Sequence, residues 1–561
     1  MPATNRRSRR VLIFAGLACT LAATAPDGWG QDAGAGARAT TFVATPGPRG
    51  GEWKRAFNPF RDDTDTRWPA TAGVYEPLLV YSRATRSYVP WLATGYQWGA
   101  GNLTVRFAIR PGVVWSDGQP FSGKDVAFTF DLMRRFSALD RAGVWGFLAD
   151  VKSADGSSVE FTFKRAYTPG LLAIGTQPIV AEHKWKDVAQ PTAFDDPSPV
   201  GTGPFTDVRR FEPSVYELGP NAKYWQKDKL KISALRVPLY HTNAEILRAL
   251  DAGELDWASL FVDDIEKRWV AKDPARHLYW YPDFGQTALL ELNTRRPPFD
   301  DTSVRKAVSM ALDRPRIMRE ALNGYAPPAD ATGLAESQNQ WKDATLTKGG
   351  DWTRRDLAQA NSLLDAAGLA RGEGGVRSVA GGGPMRYDLV VVEGWSDWGV
   401  AAGILRQNLA EVGIEVTVKA QPYDAWVGAL ERGRFEMGMW FGERGPTPYE
   451  FYKSQMDSAL VKPIGDKAIA NFHRFASEDA SRALRRFEAS SDPAEQQRLG
   501  RELQKIYVDS VPSLPLFASP LWGVFNAGRL TGFPSRFSPY AGSSPGLHSD
   551  NLQVLLAVKP R

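Results

Sequence analysis

Hydrophobic residues alternate with other residues from Leu103 to Arg110. Leu103, Val105, Phe107 and Ile109 fall on one side, and Thr104, Arg106, Ala108 and Arg110 on the other. That period of two predicts a half-buried strand. Pro111-Gly112 turns the chain into a second short run, Val113-Val114-Trp115, and Ser116-Asp117-Gly118 turns it again, which reads as a hairpin. Ser122, three residues before Asp125, forms a capping-box variant that opens a helix with Val126, Phe130 and Met133 on one side.

Farther along, the pattern switches repeatedly between the two periods. A strand is predicted over Val159–Phe163. An amphipathic helix around Glu245–Leu250, stopped by Gly253, precedes a strand at Leu255–Ala258. Helices at Ala358–Ala367 and Ile404–Val412 alternate with strands at Tyr387–Val392 and Ile414–Val418, and the Gly-rich stretch 371–384 reads as a surface loop. A strand ends in Phe435–Phe441, and a helix over Glu495–Val508 precedes the apolar run Val511–Phe517. Such alternation predicts an α/β protein with helices flanking mixed or parallel sheets. At 561 residues the chain is too long for one core, so two or three domains are expected.

The first thirty residues differ in kind. Arg6, Arg7, Arg9 and Arg10 precede an apolar run from Val11 to about Ala25, which reads as a secretory signal over residues 1–30, of Sec or twin-arginine type. The protein is therefore expected to be exported to the periplasm. The single cysteine, Cys19, lies inside this run, and lipidation there is the alternative to cleavage near Gly28–Gly30. Most of the formal net charge of +5 comes from the leader, so no nucleic-acid partner is indicated.

Several motifs carry the letters of catalysis without its chemistry. Gly118–Asp125 approaches a phosphate-binding loop, but Asp125 stands where a hydroxyl would bind magnesium, and Pro120 removes a backbone donor. Gly542-Ser543-Ser544-Pro545-Gly546 spells G-x-S-x-G in a Ser/Pro/Gly-rich tail, with too little chain after it for the acid and histidine of a triad. The five histidines are scattered, and Asp62, Asp63 and Asp65 lack the remainder of a calcium loop. No cofactor and no metal are expected.

The wording of these segments resembles one family. Arg110-x-Gly112-Val113-x-Trp115-Ser116-Asp117-Gly118-x-Pro120-Phe121, continuing through Asp125-Val126-x-Phe128-Thr129-Phe130, is similar to the signature of the extracellular solute-binding proteins of peptide-type ABC importers, family five. Further matches are Tyr75-Glu76-Pro77, Pro90-Trp91-Leu92-Ala93, Gly201-Thr202-Gly203-Pro204-Phe205 with Asn221-x-x-Tyr224-Trp225, and Asn293-Thr294…Pro298-Phe299…Val304-Arg305…Asp313-Arg314. The resemblance covers residues 40–561. It implies a two-lobed periplasmic-binding-protein fold (type II, cluster C-like) with an accessory domain and a hinge of two crossings, near 290 and 510. Lobe I would comprise 40–80, 200–290 and 511–561, the accessory domain 81–199 and lobe II 291–510. The implied protein is a monomeric receptor, not an enzyme, that captures a short oligopeptide and hands it to membrane permease subunits. A β-linked oligosaccharide is the alternative ligand, and a secreted hydrolase the alternative class.

Nineteen tryptophans suit packing against peptide side chains or sugar rings. Trp115 and Trp225 fall in fold motifs and are assigned to packing. In peptide-binding members a Trp follows the strand matching 435–441, and an Asp three residues later meets the ligand's α-ammonium group. Trp440 matches that Trp and Glu443 that Asp, one methylene longer and beside Arg444. Gly445-Pro446-Thr447-Pro448-Tyr449 is worded more like oligosaccharide-binding members. Tyr423, Trp395 and Trp398 are candidate cleft aromatics, with Asn293 at the hinge.

Overall fold

The computed structural model describes residues 40–61, 67–284, 286–348, 351–442, 445–490, 492–546 and 548–561. The stretch 1–39 with Cys19, the carboxylates of Asp62, Asp63 and Asp65, and Glu443 with Arg444 lie outside the described residues.

The strand Thr41–Thr45 lies at the centre of a seven-stranded sheet and is buried along its whole length. It runs parallel to Ala234–Pro238 on one side and to Trp257–Ser259 on the other. Antiparallel strands complete the sheet: Val215–Pro220 and Phe205–Glu212 at one end, Gly523–Asn526 and His277–Trp280 at the other. A second, five-stranded sheet has the order Glu415–Gln421, Arg386–Val392, Met437–Phe441, Thr287–Leu292, Leu514–Ala518. A third sheet of four antiparallel strands, Ala93–Trp98, Thr104–Ile109, Ser158–Phe163 and Leu148–Lys152, carries the helix Gly123–Arg135. This mixture of sheets and helices is the α/β architecture expected.

The alternating stretch is only partly the hairpin it spells. Val105, Phe107 and Ile109 are buried, whereas Leu103 is exposed. The strand's partners are the immediately preceding run 93–98 and the distant run 158–163, and Val114 makes a single bridge to Pro120. The phosphate-loop letters form a capping box: the Ser122 hydroxyl accepts from the Lys124 N–H at 3.2 Å, and the Asp125 carboxylate accepts from the Ser122 N–H at 2.9 Å. The Asp125 carboxylate also accepts from the Glu182 N–H, so the cap ties the helix to the next segment.

The other family motifs also hold the fold together. Glu76 is fully buried and accepts from Trp91 Nε1 at 2.7 Å, from the Tyr224 hydroxyl at 3.0 Å and from Trp225 Nε1 at 3.0 Å, joining three motifs at one carboxylate. A Cβ on Gly201 would lie 2.0 Å from the Val74 carbonyl oxygen, so only glycine permits that approach. Arg305 donates to the carbonyls of Phe299, Asp300, Ser510 and Val511. Arg314 does the same for Ser309, Thr353 and Pro515.

The chain passes between the two large sheets through segments that include residues 281–284 and 519–522. The Ser519 N–H donates to the Gln286 carbonyl at 2.8 Å and the Leu521 N–H to the Pro282 carbonyl at 3.0 Å. Strands Thr287–Leu292 and Leu514–Ala518 pair with each other inside the second sheet. The sheet boundaries therefore lie at 287 and 518, outside the expected 291 and 510. Apolar strands of this kind read alike in either sheet, and pairing decides which sheet they join.

Candidate ligand-binding cleft

Along a cleft, the unit built on the five-stranded sheet meets the seven-stranded sheet's unit at one place and the segment following the four-stranded sheet's strand Ser158–Phe163 at another. On the crossing side, the Asn243 amide donates to the Ser396 hydroxyl at 3.1 Å. On the far side, Tyr167 and Tyr449 share a hydrogen bond of 3.2 Å and Arg165 pairs with Glu488. Two cavities open between these contacts.

The larger, about 370 Å³, is lined by Arg61, Arg83, Arg86 and Arg141, with Tyr81 beside them. No Asp or Glu is among its lining residues. Arg83 and Arg86 sit in the hairpin that joins Leu79–Ser82 to Ser87–Pro90. Arg83 is 8% exposed; its Nε and Nη2 fork onto Asp550, and its buried Nη1 has no hydrogen-bond partner. Arg141 donates to the Arg61 carbonyl, and Arg86 to Gln340. Gly445 and Pro446 form the opposite wall. A Cβ on Gly445 would fall 2.1 Å from the carboxyl carbon of Glu450, which lies directly behind that wall. Burial pushes Glu450 up to about 7, although Thr447 donates to it.

The smaller cavity, about 150 Å³, sits against the crossing segments. Trp395, Trp398 and Phe441 reach it from one lobe, and Phe261 and Trp522 from the other side. The rings pack tightly, Trp398 on Phe441 at 4.7 Å and Phe261 on Trp522 at 5.1 Å. The only ionisable residue in its lining is Asp397, in the first turn of the helix Ser396–Glu411 and 4% exposed. Burial pushes the Asp397 carboxyl up to about 7, against the opposing pull of the Trp398 and Asp397 backbone N–H groups and the Trp522 indole.

The structure distributes the sequence candidates unevenly. Trp395 and Trp398 line the smaller cavity. Tyr423 is half-buried and packs on Trp426 at 5.6 Å, and it is not in either lining. Trp440 is likewise absent from both linings, because its ring is taken up by Trp426 at 4.9 Å and Phe472 at 5.2 Å. Asn293 is fully buried away from the crossings. Its amide donates to the carbonyls of Gly433 and Phe435, leaving it no hydrogen for a ligand. Glu443 lies outside the described residues; the chain positions on either side of it lead from Gly442 to Gly445 at the larger cavity.

Sequence reasoning missed the arginines and Asp397. The arginines come from separate segments and share no local pattern. Asp397 had a signal, a Ser-Asp pair at a helix start, but that helix begins at Ser396 and not near Ile404. Among the described residues, no group of three or more His, Cys, Asp or Glu is placed to hold a metal ion, and no helix is long and apolar enough to cross a membrane.

The family described as bacterial extracellular solute-binding proteins, family 5 Middle, matches residues 87–459. The chain is 25% identical over 427 residues to the nickel-binding periplasmic protein of Escherichia coli, covering 69% of this chain and 76% of that protein. It is 24% identical over 522 residues to di/tripeptide-binding protein 2 of Pseudomonas aeruginosa, covering 86% and 90%. A mannohexaose-bound periplasmic oligopeptide-binding protein of Thermotoga maritima superposes with a TM-score of 0.85 at 21% identity, covering 93% of this chain and 99% of that one. The periplasmic binding protein DppA of Helicobacter pylori, in complex with the peptide STSA, does so with a TM-score of 0.77 at 19% identity, covering 93% and 98%.

Proposed function

Because the chain belongs to the bacterial extracellular solute-binding proteins of family 5, we propose that it captures a short oligopeptide for an ABC importer. It acts in the periplasm as a monomer and delivers the ligand to the importer's permease subunits. It performs no chemistry on what it binds.

One observation carries this reading: two cavities of opposite character adjoin in the same cleft, one lined by four arginines and the other by aromatic rings and one carboxylate. They are separated by Phe284 and Gln286, which lie two positions apart in the chain and line one cavity each. An extended peptide matches that arrangement. Its carboxylate enters the arginine cavity, where guanidinium groups bind planar anions through paired hydrogen bonds. The α-ammonium group then has two candidate partners, Glu443, outside the described residues, and the carboxylate of the smaller cavity. Bending at 281–284 and 519–522 opens the cleft, and ligand contacts made by both lobes shift the population toward closure. The di/tripeptide-binding relative supports the peptide assignment.

A second reading, an oligosaccharide, draws on the smaller cavity. Trp395 and Trp398 there stand beside the neutral hydrogen-bonding groups of Asn243, Gln286 and Ser519, a set suited to stacking on a sugar ring. A thermal-shift panel of short peptides and β-linked oligosaccharides separates the two, and native mass spectrometry of the purified protein identifies any ligand it already carries. Time-dependent cleavage of a bound ligand in the same incubation would overturn the receptor reading in favour of a secreted hydrolase.

A further inference from the structure

We propose that the smaller cavity selects a cationic group of the ligand, an ammonium or a guanidinium, which lies among Trp395, Trp398 and Trp522 and neutralises Asp397. The inference rests on the peptide-receptor reading and adds to it the charge and direction of the bound molecule.

Asp397 is 4% exposed and has no lysine, arginine or histidine beside it in the cavity lining. The helix start supplies backbone N–H groups and the positive end of a dipole, and the Trp522 indole adds one neutral donor. Tyr281, the ionisable neighbour on the crossing segment, is kept protonated by burial and brings no charge. A carboxylate so enclosed lacks the counter-charge that makes burial favourable, and a bound cation supplies it. A neutral helix-capping role accounts for the backbone contacts but not for the cavity in front of them.

The walls match the same chemistry. Five aromatic residues surround the space, and a cation over a desolvated indole face is attracted by the ring quadrupole. A volume near 150 Å³ admits one compact head group. The neighbouring cavity acts in the opposite sense. Arg61 and Arg83 there are paired with Asp195 and Asp550, so the charges that favour a carboxylate over a cation are those of Arg86 and Arg141. Phe284 and Gln286 are two chain positions apart, a span of at most about 7 Å. A short ligand that spans both cavities lies with its cationic end toward the crossings and its anionic end toward Arg86 and Arg141.

Isothermal titration of the full chain with three peptides tests this: Ala-Arg-Ala, Ala-citrulline-Ala and N-acetyl-Ala-citrulline-Ala. If a basic side chain fills the cavity, citrulline weakens binding by about 10- to 100-fold. If the terminal ammonium fills it, acetylation produces that loss instead. Either loss must vanish in Asp397→Asn, whose folding is checked by thermal melting, and must shrink in Trp395→Leu, which keeps the carboxylate and removes a wall. A loss that persists unchanged in Asp397→Asn overturns the proposal. So does equal binding of all three peptides to the unsubstituted protein, an outcome that leaves the peptide-receptor reading intact. Failure of every peptide to bind overturns both.

Discussion

Arg83 and Asp550 stand 467 residues apart and close a two-point fork beside the larger cavity, Nε to Oδ2 and Nη2 to Oδ1, each at 3.0 Å. The fork ties the hairpin at the entrance of the accessory sheet to the end of the chain. Both side chains are withdrawn from water, at 7% and 0% exposure.

Breaking that fork from one side should be costly. Asp550→Ala leaves a buried guanidinium without its partner and is expected to destabilise the protein by about 3–5 kcal/mol. The double variant Arg83→Met with Asp550→Leu removes both charges and should recover much of the loss. Urea denaturation of the three proteins measures the difference.

The exposed arginines of the same cavity should affect binding more than stability. Arg86→Ala and Arg141→Ala are each expected to weaken a peptide with a free C-terminal carboxylate by about tenfold, in keeping with the worth of a charge-assisted hydrogen bond. The same variants should barely change binding of the C-terminally amidated peptide. Titrations at two salt concentrations provide the check, since surface-charge contributions fall with ionic strength.

Stability should rise as the pH falls from 8 toward 5.5. Burial raises Glu76, Asp397 and Glu450 to about 7 and Asp196 to about 6. Their ordinary values are near 4, so between about pH 4 and pH 7 the folded protein binds protons that the unfolded chain has released. Stability is then lost as the pH climbs through that window and levels off above it. A melting temperature that increases steadily from pH 5.5 to 8 would contradict this. Asp397→Asn should raise the melting temperature at pH 8 and flatten the profile.

Gly201→Ala should damage the fold without approaching the cleft. The added methyl would meet the Val74 carbonyl oxygen at 2.0 Å, a contact that only backbone movement relieves. A loss of about 1–3 kcal/mol or more is expected, as for overpacking elsewhere, and thermal melting measures it.

The candidate site was legible only where it coincided with a local pattern. Of the candidate cleft aromatics, Trp395 and Trp398 both line a cavity. Family wording points to Trp440 and a hinge position to Asn293, yet neither lines a cavity: Trp440 packs on Trp426 and Phe472, and the Asn293 amide donates to the carbonyls of Gly433 and Phe435. The same lesson holds for Glu76, Arg305 and Arg314. Residues spelled alike across the motifs are here the ones that satisfy buried backbone and indole groups, a requirement any ligand leaves unchanged.

Chain order alone determined the family, most helices and strands, and the capping box at Ser122, because turns, caps and hydrophobic periods act over a few residues. It did not determine which sheet would take the strands at 287 and 514, since pairing is settled between segments more than 200 residues apart. Nor did it determine the polarity of the cleft. Arg61, Arg83, Arg86 and Arg141 converge only when the sheets assemble. The charge on Asp397 depends on the low-dielectric enclosure that Phe261 and Trp522 complete from across the cleft. A carboxylate's behaviour follows from what excludes water around it, and for Asp397 that enclosure exists only in the folded chain.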